Sequence, residues 1–426
     1  MLQVDPATNL PNRFELVKAL DAELQNADGN TNGAVMVIGL DNFQLVNEVC
    51  GPSVGDEALR QITDNIMNVL PYDIQLYRLD GDQFCMFWPE CMPEEMEIVF
   101  ASLQLSLRDI AVIVDKVYCT TTAGVAFYPR DGKDSDTLLR NAQAAKTIAR
   151  QEGGGDRISF FQEAVYERWR YNIMMQGFMK NSIARGCEDF FLCFQPQVRA
   201  ADGSLYGAEA LLRWTSGTGE VLPPLEFIPV LEKTRLIIPA GHWIIEQAVK
   251  TCKKWLEYMP DFQMSINISL YQLEEQMLFP FVEDCLQRYD MDPKHIVFEL
   301  TEGQNVTDWD FVNEQFASFR KLGVRIAMDD FGSGYATLDF LRQFECDLIK
   351  LDRSIIEDML TREFNKNLVK YAIKLCHKLD LEVCVEGVEE EDIYLCLRDE
   401  CEADAIQGFY FGKPETEDVF VKRFGK

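Results

Sequence analysis

Eight short apolar runs recur along the second part of the chain, and segments of helix length separate them. The runs are FFLCFQP, YGAEALLRW, FQMSINIS, HIVFELTE, VRIAMDDFG, DLIKLDR, LEVCVEGV and AIQGFYFG. Alternating strand and helix patterns favour an α/β fold, and eight such strands over about 240 residues are typical of a (βα)8 barrel. We therefore predict an α/β fold class with a TIM-like (βα)8 barrel in this part of the chain.

Nearly every run ends in a polar or charged residue. The carboxyl ends of barrel strands meet on one face, so we expect these side chains to gather in one pocket. They are Gln195, Glu209, Arg213, Asn267, Glu299, Glu302, Asp329, Asp330, Lys350, Glu386 and Gln407. A single strand-end acid is more often a helix cap or a surface charge, but so many around one barrel favour a functional site.

Five of these side chains are carboxylates that we expect to face the same mouth of the barrel, namely Glu209, Glu299, Asp329, Asp330 and Glu386. Packed together, they would repel one another and raise one another's pKa unless cations neutralised them. Two divalent ions about 3.5–4 Å apart are a standard device for phosphodiester hydrolysis, and Asp329 and Asp330 are placed to hold one ion each. We therefore predict a two-metal site, where Lys350 orients water or balances charge and Arg213 binds a phosphate through two hydrogen bonds.

Composition narrows the choice of metal and compartment. The chain has only three histidines, His242, His295 and His377, so oxygen ligands must dominate, and they favour Mg2+ or Mn2+ over zinc. Its thirteen cysteines include no CxxC pair, which excludes a zinc ribbon and a redox motif of that kind. An odd cysteine count in a chain of this size fits a reducing cytoplasm better than a disulfide framework.

Charge and hydropathy narrow the choice of partners. The formal net charge of −29 argues against a nucleic acid duplex, whose phosphates would be repelled. No apolar run approaches the roughly 18 residues that span a bilayer, and the N-terminus lacks the pattern of a signal peptide. We expect a cytoplasmic chain without a membrane segment, and we expect any sensory or membrane-attached part of a larger protein to lie outside this sequence.

In the first 160 or so residues, strand-like and helix-like segments follow one another in a different order, which is typical of an α+β domain with a mainly antiparallel sheet. A buried strand is predicted at 32–40, a helix at 54–70, and a hairpin around Asp80-Gly81. A second helix (94–110), a strand (116–129) and a third helix follow, and the last helix ends at a run of three glycines. The polar, helix-prone segment 162–187 is predicted to be a connecting helix.

The barrel region resembles the EAL-domain phosphodiesterases, which hydrolyse cyclic di-GMP to linear 5′-pGpG in bacterial signalling. The resemblance covers residues 172–426 and includes EALLRW (209–214), QPQV, FIPVLEKT, NIS, ELTEG, DDFGSGYATL, IKLDRS, VEGVE and QGFYFGKP. It implies two Mg2+ or Mn2+ ions, cyclic di-GMP as substrate, and a homodimer formed through the loop after Asp330.

The resemblance also implies a role for each matching residue. Glu209, Glu386 and Lys350 would be catalytic, Glu386 as a general base or ligand and Lys350 by holding water. The implied metal ligands are Glu209, Asn267, Glu299, Asp329, Asp330 and Glu386. The implied substrate-binding residues are Gln195, Leu211, Arg213 and Gln407. Glu302 would anchor the loop DFGSGY.

Residues 1–161 resemble the GGDEF domain, the diguanylate cyclase fold, through DPATNLPNRFEL, LDNFQLVNEVCGPSVGDEAL and RLDGDQF (78–84). At several positions this sequence differs from the residues typical of the GGDEF family. Gly39 replaces a metal-binding acid, Asp80 replaces the first glycine of the signature, and Gln83 replaces its catalytic acid. Gln44 replaces a basic residue, and Pro71 and Ile74 occupy the inhibitory product site. We therefore predict a degenerate GGDEF domain that makes no cyclic di-GMP.

Asn47 and Asp56 match the family positions that recognise guanine, and Arg78 and Arg150 remain basic. One hypothesis is that the domain still binds GTP and regulates the barrel. The alternative is that Asn47 caps a local turn and Asp56 caps the helix that follows. For the whole chain, a phosphodiesterase is favoured over a non-enzymatic cyclic di-GMP receptor and over a bifunctional cyclase and phosphodiesterase.

Overall fold

The structure of the chain is a computed structural model that describes residues 3–26, 32–108, 120–151, 155–301, 308–332 and 338–425. The chain divides into two units, Met1–Asn172 and Ile173–Lys426, each with its own sheet and its own core. Within the described ranges, no helix combines the length and the apolar character that crossing a bilayer requires.

The first unit contains one sheet of five strands among its described residues. The strands β1 to β5 cover Gly33–Leu40, Leu76–Arg78, Gln83–Pro89, Thr121–Tyr128 and Arg157–Phe160. Their order is β2-β3-β1-β4-β5, and every pair is antiparallel except β4 and β5. The predicted α+β domain with a mainly antiparallel sheet is confirmed.

Helices cover both faces of this sheet. These helices, α1 to α5, are Arg13–Asn26, Phe43–Cys50, Pro52–Val69, Pro93–Arg108 and Ser135–Gln151. A further helix, α6 (Glu163–Ala184), runs from the first unit into the second, where Met175 and Met179 join the barrel core. Side chains alternate across a strand, so Val35 and Val37 pack with residues of α1 and α5, while Met36 and Ile38 pack with residues of α2, α3 and α4. β1 is therefore buried on both faces, and its sequence GAVMVIGL is a continuous apolar run.

The hairpin turn lies at Asp80 and Gly81, as the sequence predicts. The backbone N–H of Gln83 donates to the Asp80 carbonyl, and the N–H of Leu79 donates to the Gln83 carbonyl. Gly81 has a φ of 59°, a left-handed conformation that glycine adopts without a steric penalty. The turn links β2 to β3 in the middle of the RLDGDQF segment.

The second unit is a closed barrel of eight strands with two short extra strands. The strands β6 to β15 cover Phe190–Arg199, Leu205–Thr215, Val221–Leu222, Gln263–Asn267, Ile296–Thr301, Arg325–Phe331, Leu348–Leu351, Glu382–Val385, Ala405–Gln407 and Glu415–Thr416. The barrel order is β6-β14-β13-β12-β11-β10-β9-β7, and pairing of β6 with β7 closes it. The eight apolar runs of the sequence supply these eight strands, which confirms the predicted barrel.

One strand departs from the regular (βα)8 pattern. β6 runs antiparallel to both of its neighbours, β7 and β14, whereas the six other pairings of the barrel are parallel. A short turn around Gly203 connects β6 to β7, so no crossover helix is available to make this pair parallel. The expectation that every run ends on the same face is therefore wrong for the run that contains Gln195.

Helices surround the barrel. The helices α7 to α16 are Pro224–Lys233, Ile237–Trp255, Leu270–Leu273, Leu278–Arg288, Trp309–Leu322, Leu338–Gln343, Arg353–Ile356, Glu363–Lys378, Glu391–Cys396 and Glu417–Phe424. A 3-10 turn at Pro293–His295 and a π-helical segment at Leu397–Cys401 complete the described elements. The outward-facing side chains of the strands pack against these helices in one large core.

Candidate active site

The interior of the barrel is built in layers. An apolar layer contains Val297, Ala327, Leu348, Cys384 and Ala405, one from each of five neighbouring strands. Side chains two positions apart on a strand share a face, so the residues two positions further along also point inward. Those residues are Glu299, Asp329, Lys350, Glu386 and Gln407. Strand alternation thus stacks a polar layer on an apolar floor.

Lys350 lies at the centre of the polar layer, and none of its side-chain surface is exposed. Its ammonium nitrogen is 3.2 Å from a carboxylate oxygen of Glu209, 2.8 Å from one of Glu299, 3.0 Å from one of Asp329 and 2.8 Å from one of Glu386. The structure therefore brings together four of the five carboxylates that the sequence singles out around one positive charge.

Amide side chains hold the carboxylate of Glu209 in place. Asn267 Nδ2 donates to one of its oxygens at 2.6 Å, and Gln407 Nε2 donates to the other at 2.7 Å. Gln407 Nε2 also lies 3.2 Å from Gln195 Oε1, and Gln195 pairs directly with Glu209 across β6 and β7. Gln195 thus reaches the site from the middle of an antiparallel strand.

Sequence reasoning missed Gln197. This buried side chain donates from Nε2 to Gln407 Oε1 at 2.9 Å, which sets the orientation of the Gln407 amide. The signal was present in the second glutamine of the segment QPQV, because residues 195 and 197 lie on the same face of one strand.

Burial and mutual repulsion perturb the pKa values of the cluster. Burial raises the pKa of Glu299 to about 8, with further contributions from Glu209 and Asp329 against the opposing effect of Lys350. Burial raises the pKa of Glu386 well above its usual value and that of Asp330 to about 6. Burial also opposes ionisation of Glu209, but Lys350 and the two amide donors outweigh it and lower its pKa.

Two groups of three carboxylates have ligand atoms close enough to share a cation. One group is Glu209, Glu299 and Asp329, the other is Asp329, Asp330 and Glu386, and within each group the oxygens lie within 4.8 Å of one another. Asp329 belongs to both. All of these donors are carboxylate oxygens, which fit a hard divalent cation.

A buried carboxylate oxygen without a hydrogen-bond partner among the described residues also supports the binding of a divalent cation here. Glu299 is fully buried, and its Oε1 accepts no hydrogen bond from any described residue. A buried carboxylate oxygen left unpaired costs free energy, and a cation would remove that cost. The donor set and this orphaned atom both fit the predicted binding of divalent metal.

An irregular backbone brings Asp329 and Asp330 to the same place. Neighbouring residues of a regular strand point to opposite faces, but Asp330 has a φ of 57°, and the register of β11 against β12 shifts between Met328 and Phe331. Aspartate tolerates this left-handed conformation better than most residues. Backbone strain and register shifts of this kind are found at functional sites, where they change the direction in which a side chain points.

Leu211 and Arg213 lie further along β7, on the same side of the strand as Glu209. Leu211 lines a recess beside the cluster, together with Asn267, Asp329 and Asp330. Arg213 Nη1 donates to the Leu212 carbonyl at 2.8 Å. Glu302 and residues 333–335, the second half of the DFGSGY loop, lie outside the described residues.

In the first unit, the position of the missing metal-binding acid is crowded. A Cβ atom on Gly39 would lie 3.2 Å from Lys146 Nζ and 3.3 Å from Lys146 Cδ. The neighbouring Asp41 is buried and accepts from Thr122 Oγ1 at 2.6 Å, and its other oxygen lies 3.2 Å from Arg150 Nε. A lysine and internal hydrogen bonds therefore occupy this strand end.

Gln83 is also engaged with the protein. Its Oε1 accepts a hydrogen bond of 2.8 Å from Gln143 Nε2 on α5. A neutral amide that pairs with another amide offers a metal ion much less charge than a carboxylate would. The arrangement agrees with the predicted degeneracy at this position of the signature.

The three residues predicted to contact GTP line one cavity of about 570 Å³, namely Asn47, Asp56 and Arg78. Arg78 is buried over the ring of Phe84, and its Nη1 donates to no described residue. Burial lowers its pKa. The alternative function of Asp56 as a helix cap is wrong, because α3 begins at Pro52 and Asp56 lies inside it.

Comparisons with known proteins agree with both units. The family model for the EAL domain matches residues 180–414, and the model described as "Diguanylate cyclase, GGDEF domain" matches residues 2–156. The cyclic di-GMP phosphodiesterase PdeR of Escherichia coli is 30% identical over 425 residues, which are 99% of this chain and 63% of that protein.

A second relative is the bifunctional diguanylate cyclase/cyclic di-GMP phosphodiesterase MucR of Pseudomonas aeruginosa. It is 28% identical over 413 residues, which are 96% of this chain and 60% of that protein. The chain thus spans less than two thirds of the length of these curated relatives.

A solved structure described as the PaMucR phosphodiesterase in complex with c-di-GMP is similar to the second unit. Its TM-score is 0.52 at 29% sequence identity, and the match covers 57% of this chain and 99% of that chain. More than half of the chain matches one family model, and the barrel carries the acidic layer described above. The chain belongs to the EAL domain family and carries a GGDEF domain on the N-terminal side of its EAL domain.

Proposed function

We propose that the barrel is a cyclic di-GMP-specific phosphodiesterase that hydrolyses its substrate to linear 5′-pGpG with two divalent ions. The observation that carries the proposal is the presence, at one mouth of the barrel, of two clusters of three carboxylates each, with Asp329 common to both clusters. The activity for which relatives such as the cyclic di-GMP phosphodiesterase PdeR are named supports the same function.

The proposed ligands are the six oxygen donors Glu209, Asn267, Glu299, Asp329, Asp330 and Glu386, and the proposed ions are Mg2+ or Mn2+ because these cations prefer such donors. Asn267 would turn its amide oxygen toward an ion and release its present hydrogen bond to Glu209. When bound, the ions would supply charge stabilisation to the phosphodiester as it reacts.

On the family resemblance, Glu386 is proposed either as a metal ligand or as the general base that accepts the proton of water. In the ion-free chain, burial and the charges of Asp329 and Glu209 raise its pKa well above the usual value against the opposing effect of Lys350. Lys350 holds this carboxylate at 2.8 Å. We propose that the ammonium orients both Glu386 and the attacking water.

The proposed substrate contacts are Gln195, Leu211, Arg213 and Gln407. Arg213 is half-buried, and among the described residues its guanidinium donates one hydrogen bond, to the Leu212 carbonyl, so further N–H groups can bind a phosphate. Gln407 already donates to Gln195 and to Glu209, so these two glutamines support the site as well as offering a contact surface. Glu302 is proposed to anchor the loop after Asp330 on the family resemblance alone.

We propose that the GGDEF domain is catalytically inactive and retains a guanine nucleotide site that regulates the barrel. Crowding at Gly39 and the Gln83–Gln143 pair support the loss of activity. The cavity lined by Asn47, Asp56 and Arg78 supports the retained site. Titrating GTP while cyclic di-GMP hydrolysis is followed tests this, and an unchanged rate and affinity at millimolar GTP would remove the regulatory part.

A homodimer formed through the EAL domain is proposed as the working assembly. The loop implied by the resemblance falls mostly outside the described residues. On α14, Phe364, Leu368, Tyr371 and Leu375 are exposed at helical spacing, and this apolar stripe supports a contact with a second copy. Sedimentation of the wild type and of Leu368→Glu tests it, because a charge on the stripe should shift a dimer toward monomer.

We propose a bacterial cytoplasmic location. The cysteines in the described ranges are all unpaired, and most are buried. Burial raises the pKa of several, including Cys252 to about 12, so they behave as small apolar side chains rather than as reactive thiols.

One assay separates the candidate functions. The purified chain is incubated with cyclic di-GMP and Mg2+ or Mn2+, then separately with GTP, and products are resolved by chromatography. Linear 5′-pGpG from the first reaction supports the phosphodiesterase. Intact ligand bound stoichiometrically would instead indicate a receptor, and cyclic product from GTP would indicate a bifunctional enzyme, the description that MucR carries.

A further inference from the structure

The mouth of the barrel opposite the acidic layer carries a second layer of polar side chains. Strand alternation places the residue two positions before a member of the apolar layer on the same inward face. His295, Arg325 and Glu382 are such residues, and Gln263 shares the inward face of β9 with the site. β6 runs in the opposite direction, so its last residue, Arg199, reaches the same mouth. The barrel interior is thus polar at both mouths and apolar between them.

These side chains line a cavity of about 780 Å³, which we call the lower cavity. Ala405 belongs to the apolar layer, Tyr206 packs with that layer, and both also line the lower cavity. The lower cavity therefore lies directly against the apolar layer, on the other side from the acidic cluster. Its volume falls in the range of sites that hold small molecules.

Arg325 is held in a fixed orientation in this cavity. Its Nη1 donates to Tyr206 Oη at 3.2 Å and to Gln263 Oε1 at 3.0 Å. Its Nη2 lies 2.8 Å from a carboxylate oxygen of Glu382. A guanidinium has five N–H donors, so donors remain for a ligand, and a side chain that is already oriented loses little freedom on binding.

His295 leaves one ring nitrogen without a partner. The residue is 8% exposed, and its Nδ1 lies 2.8 Å from the Phe262 carbonyl oxygen. A carbonyl oxygen only accepts, so Nδ1 carries the hydrogen and Nε2 keeps a lone pair when the ring is neutral. No described residue pairs with Nε2, although the side chain lines the cavity. Such a buried polar atom points to a partner that enters the cavity.

Two further basic side chains line the rim. No described residue accepts a hydrogen bond from Arg199, whose guanidinium lies over the ring of Tyr206 at 5.6 Å from its centroid. Arg325 bonds the hydroxyl of the same tyrosine, so Tyr206 brings the two guanidinium groups to one part of the cavity. Lys294 also lines the cavity, and its ammonium pairs with the exposed Asp292 at 2.9 Å.

The acids that line the cavity are Asp261, Glu382 and Asp404. Glu382 is paired with Arg325, and Asp404 Oδ2 accepts from the N–H of Val383 at 2.8 Å and lies 2.9 Å from His377 Nε2. Asp261 is exposed at the rim. Two of the three acids are therefore already engaged by the protein, and the groups left available for a ligand are mainly basic.

We propose that the lower cavity binds a small phosphate-bearing ligand. Phosphate oxygens would accept from the guanidinium groups of Arg199 and Arg325 and from the ammonium of Lys294. His295 Nε2 would accept from a protonated phosphate oxygen or, with the ring charged, donate to an ionised one. This site lies at the mouth opposite the proposed metal site, so it does not depend on the hydrolytic activity.

The test measures binding by isothermal titration calorimetry at low salt in EDTA. EDTA removes divalent ions that would otherwise hold a phosphate at the acidic layer. The probes are inorganic phosphate, glucose 6-phosphate and, as the uncharged counterpart, glucose. The wild type is compared with Arg199→Gln, with His295→Gln and with the matched control Arg168→Gln. Arg168 is exposed on α6 and does not line the cavity. Unfolding temperatures are recorded for all four proteins.

The wild type should bind both phosphate probes and not glucose. Arg199→Gln should weaken phosphate binding by about tenfold or more, because a charged hydrogen bond is lost, and His295→Gln should weaken it by about 3–10-fold. Arg168→Gln should bind as the wild type does. Tighter binding of glucose 6-phosphate than of inorganic phosphate would identify a phosphate ester as the ligand, and the reverse order would identify free phosphate.

A wild type that binds neither phosphate probe would overturn the proposal. Binding that is unchanged in Arg199→Gln would also overturn it, because the anion would then lie elsewhere on the protein. Equal affinity for glucose would exclude recognition of the phosphate. If His295→Gln lowers the unfolding temperature while Arg199→Gln does not, the exposed Arg199 substitution alone decides. Hydrolysis of cyclic di-GMP is assayed separately, so the proposed function stands or falls independently.

Discussion

The ammonium of Lys350 lies within 3.2 Å of four carboxylates and is completely buried. These carboxylates raise its pKa well above the usual lysine value against the opposing effect of burial. A single positive charge cannot neutralise five neighbouring acids, which is why several of them also have raised pKa values. At the scale of the residue, the site is therefore organised to accept more positive charge than the chain supplies.

We expect Lys350→Met to destabilise the ion-free protein by about 3–5 kcal/mol, because it leaves buried carboxylates without their partner. The loss should be greater at pH 8 than at pH 6, since protonation of the acids at the lower pH relieves their repulsion. Urea unfolding in EDTA measures both effects. Equal stability of variant and wild type at pH 8 would contradict the central position of this charge.

Asp329→Ala should lower turnover of cyclic di-GMP by about 100–1000-fold or more, because Asp329 belongs to both carboxylate groups. Glu209→Ala should have a comparable effect. Asp310→Asn, an exposed acid on α11, serves as the matched control and should keep wild-type activity. Near-normal rates in Asp329→Ala would undo the assignment of the metal ligands.

Gln83→Glu should not create a diguanylate cyclase, because Gly39 still lacks a carboxylate. The double variant Gly39→Asp/Gln83→Glu should also remain inactive, since a side chain at position 39 would press against Lys146. Incubation with GTP and Mg2+, followed by chromatography for cyclic di-GMP, measures this. Product from the single variant would mean that the retained residues suffice for synthesis.

At the scale of the elements, β6 is held by a cluster of aromatic rings. Phe420 of α16 stacks on Trp255 of α8 with ring centroids 4.5 Å apart, and Phe194 of β6 meets Trp255 edge-on at 4.9 Å. This contact joins the last helix of the chain to the one antiparallel strand of the barrel. It secures the strand that brings Gln195 and Gln197 to the site.

Phe420→Ala should therefore destabilise the barrel by about 3–5 kcal/mol through loss of packing and the cavity left behind. Phe420→Leu keeps most of the volume and should cost clearly less. Urea unfolding followed by tryptophan fluorescence measures the difference. Equal losses in the two variants would mean that cavity formation is not the cause.

At the scale of the whole molecule, stability and metal binding should be linked through pH. Glu299 and Asp330 have pKa values of about 8 and about 6, above the ordinary values of 4.5 and 3.8. Between the ordinary and the raised values, the folded state binds protons that the unfolded state has released. Without divalent ions, stability should therefore decrease as the pH rises from about 4 to 8.

Divalent ions bind the ionised carboxylates, so they should stabilise the protein more where protonation does not compete. We expect the rise in unfolding temperature caused by Mn2+ to be larger at pH 8 than at pH 6. Scanning fluorimetry with Mn2+ and with EDTA measures it, and Glu299→Gln should reduce the difference. Equal Mn2+ effects at the two pH values would argue against a role for these acids as ligands.

The barrel and its acidic layer could be predicted from the sequence because both depend on local order. Strand runs, helix-length spacers and the position of an acid at the end of a run repeat at fixed spacings, and strand alternation converts those spacings into inward-facing side chains. The degeneracy predicted for the GGDEF domain likewise rests on residue types at known positions, such as Gly39 and Gln83.

The sequence by itself thus determined the fold class, the two family resemblances and the residues of the acidic layer. Only the tertiary structure decided the direction of β6, the support of Gln407 by Gln197, the approach of the Asp329 and Asp330 side chains to one place, and the recess beside the acidic cluster. Each of these depends on which distant segments become neighbours, or on one irregular backbone angle. Pairing between remote strands and long-range burial leave no periodic trace in the sequence.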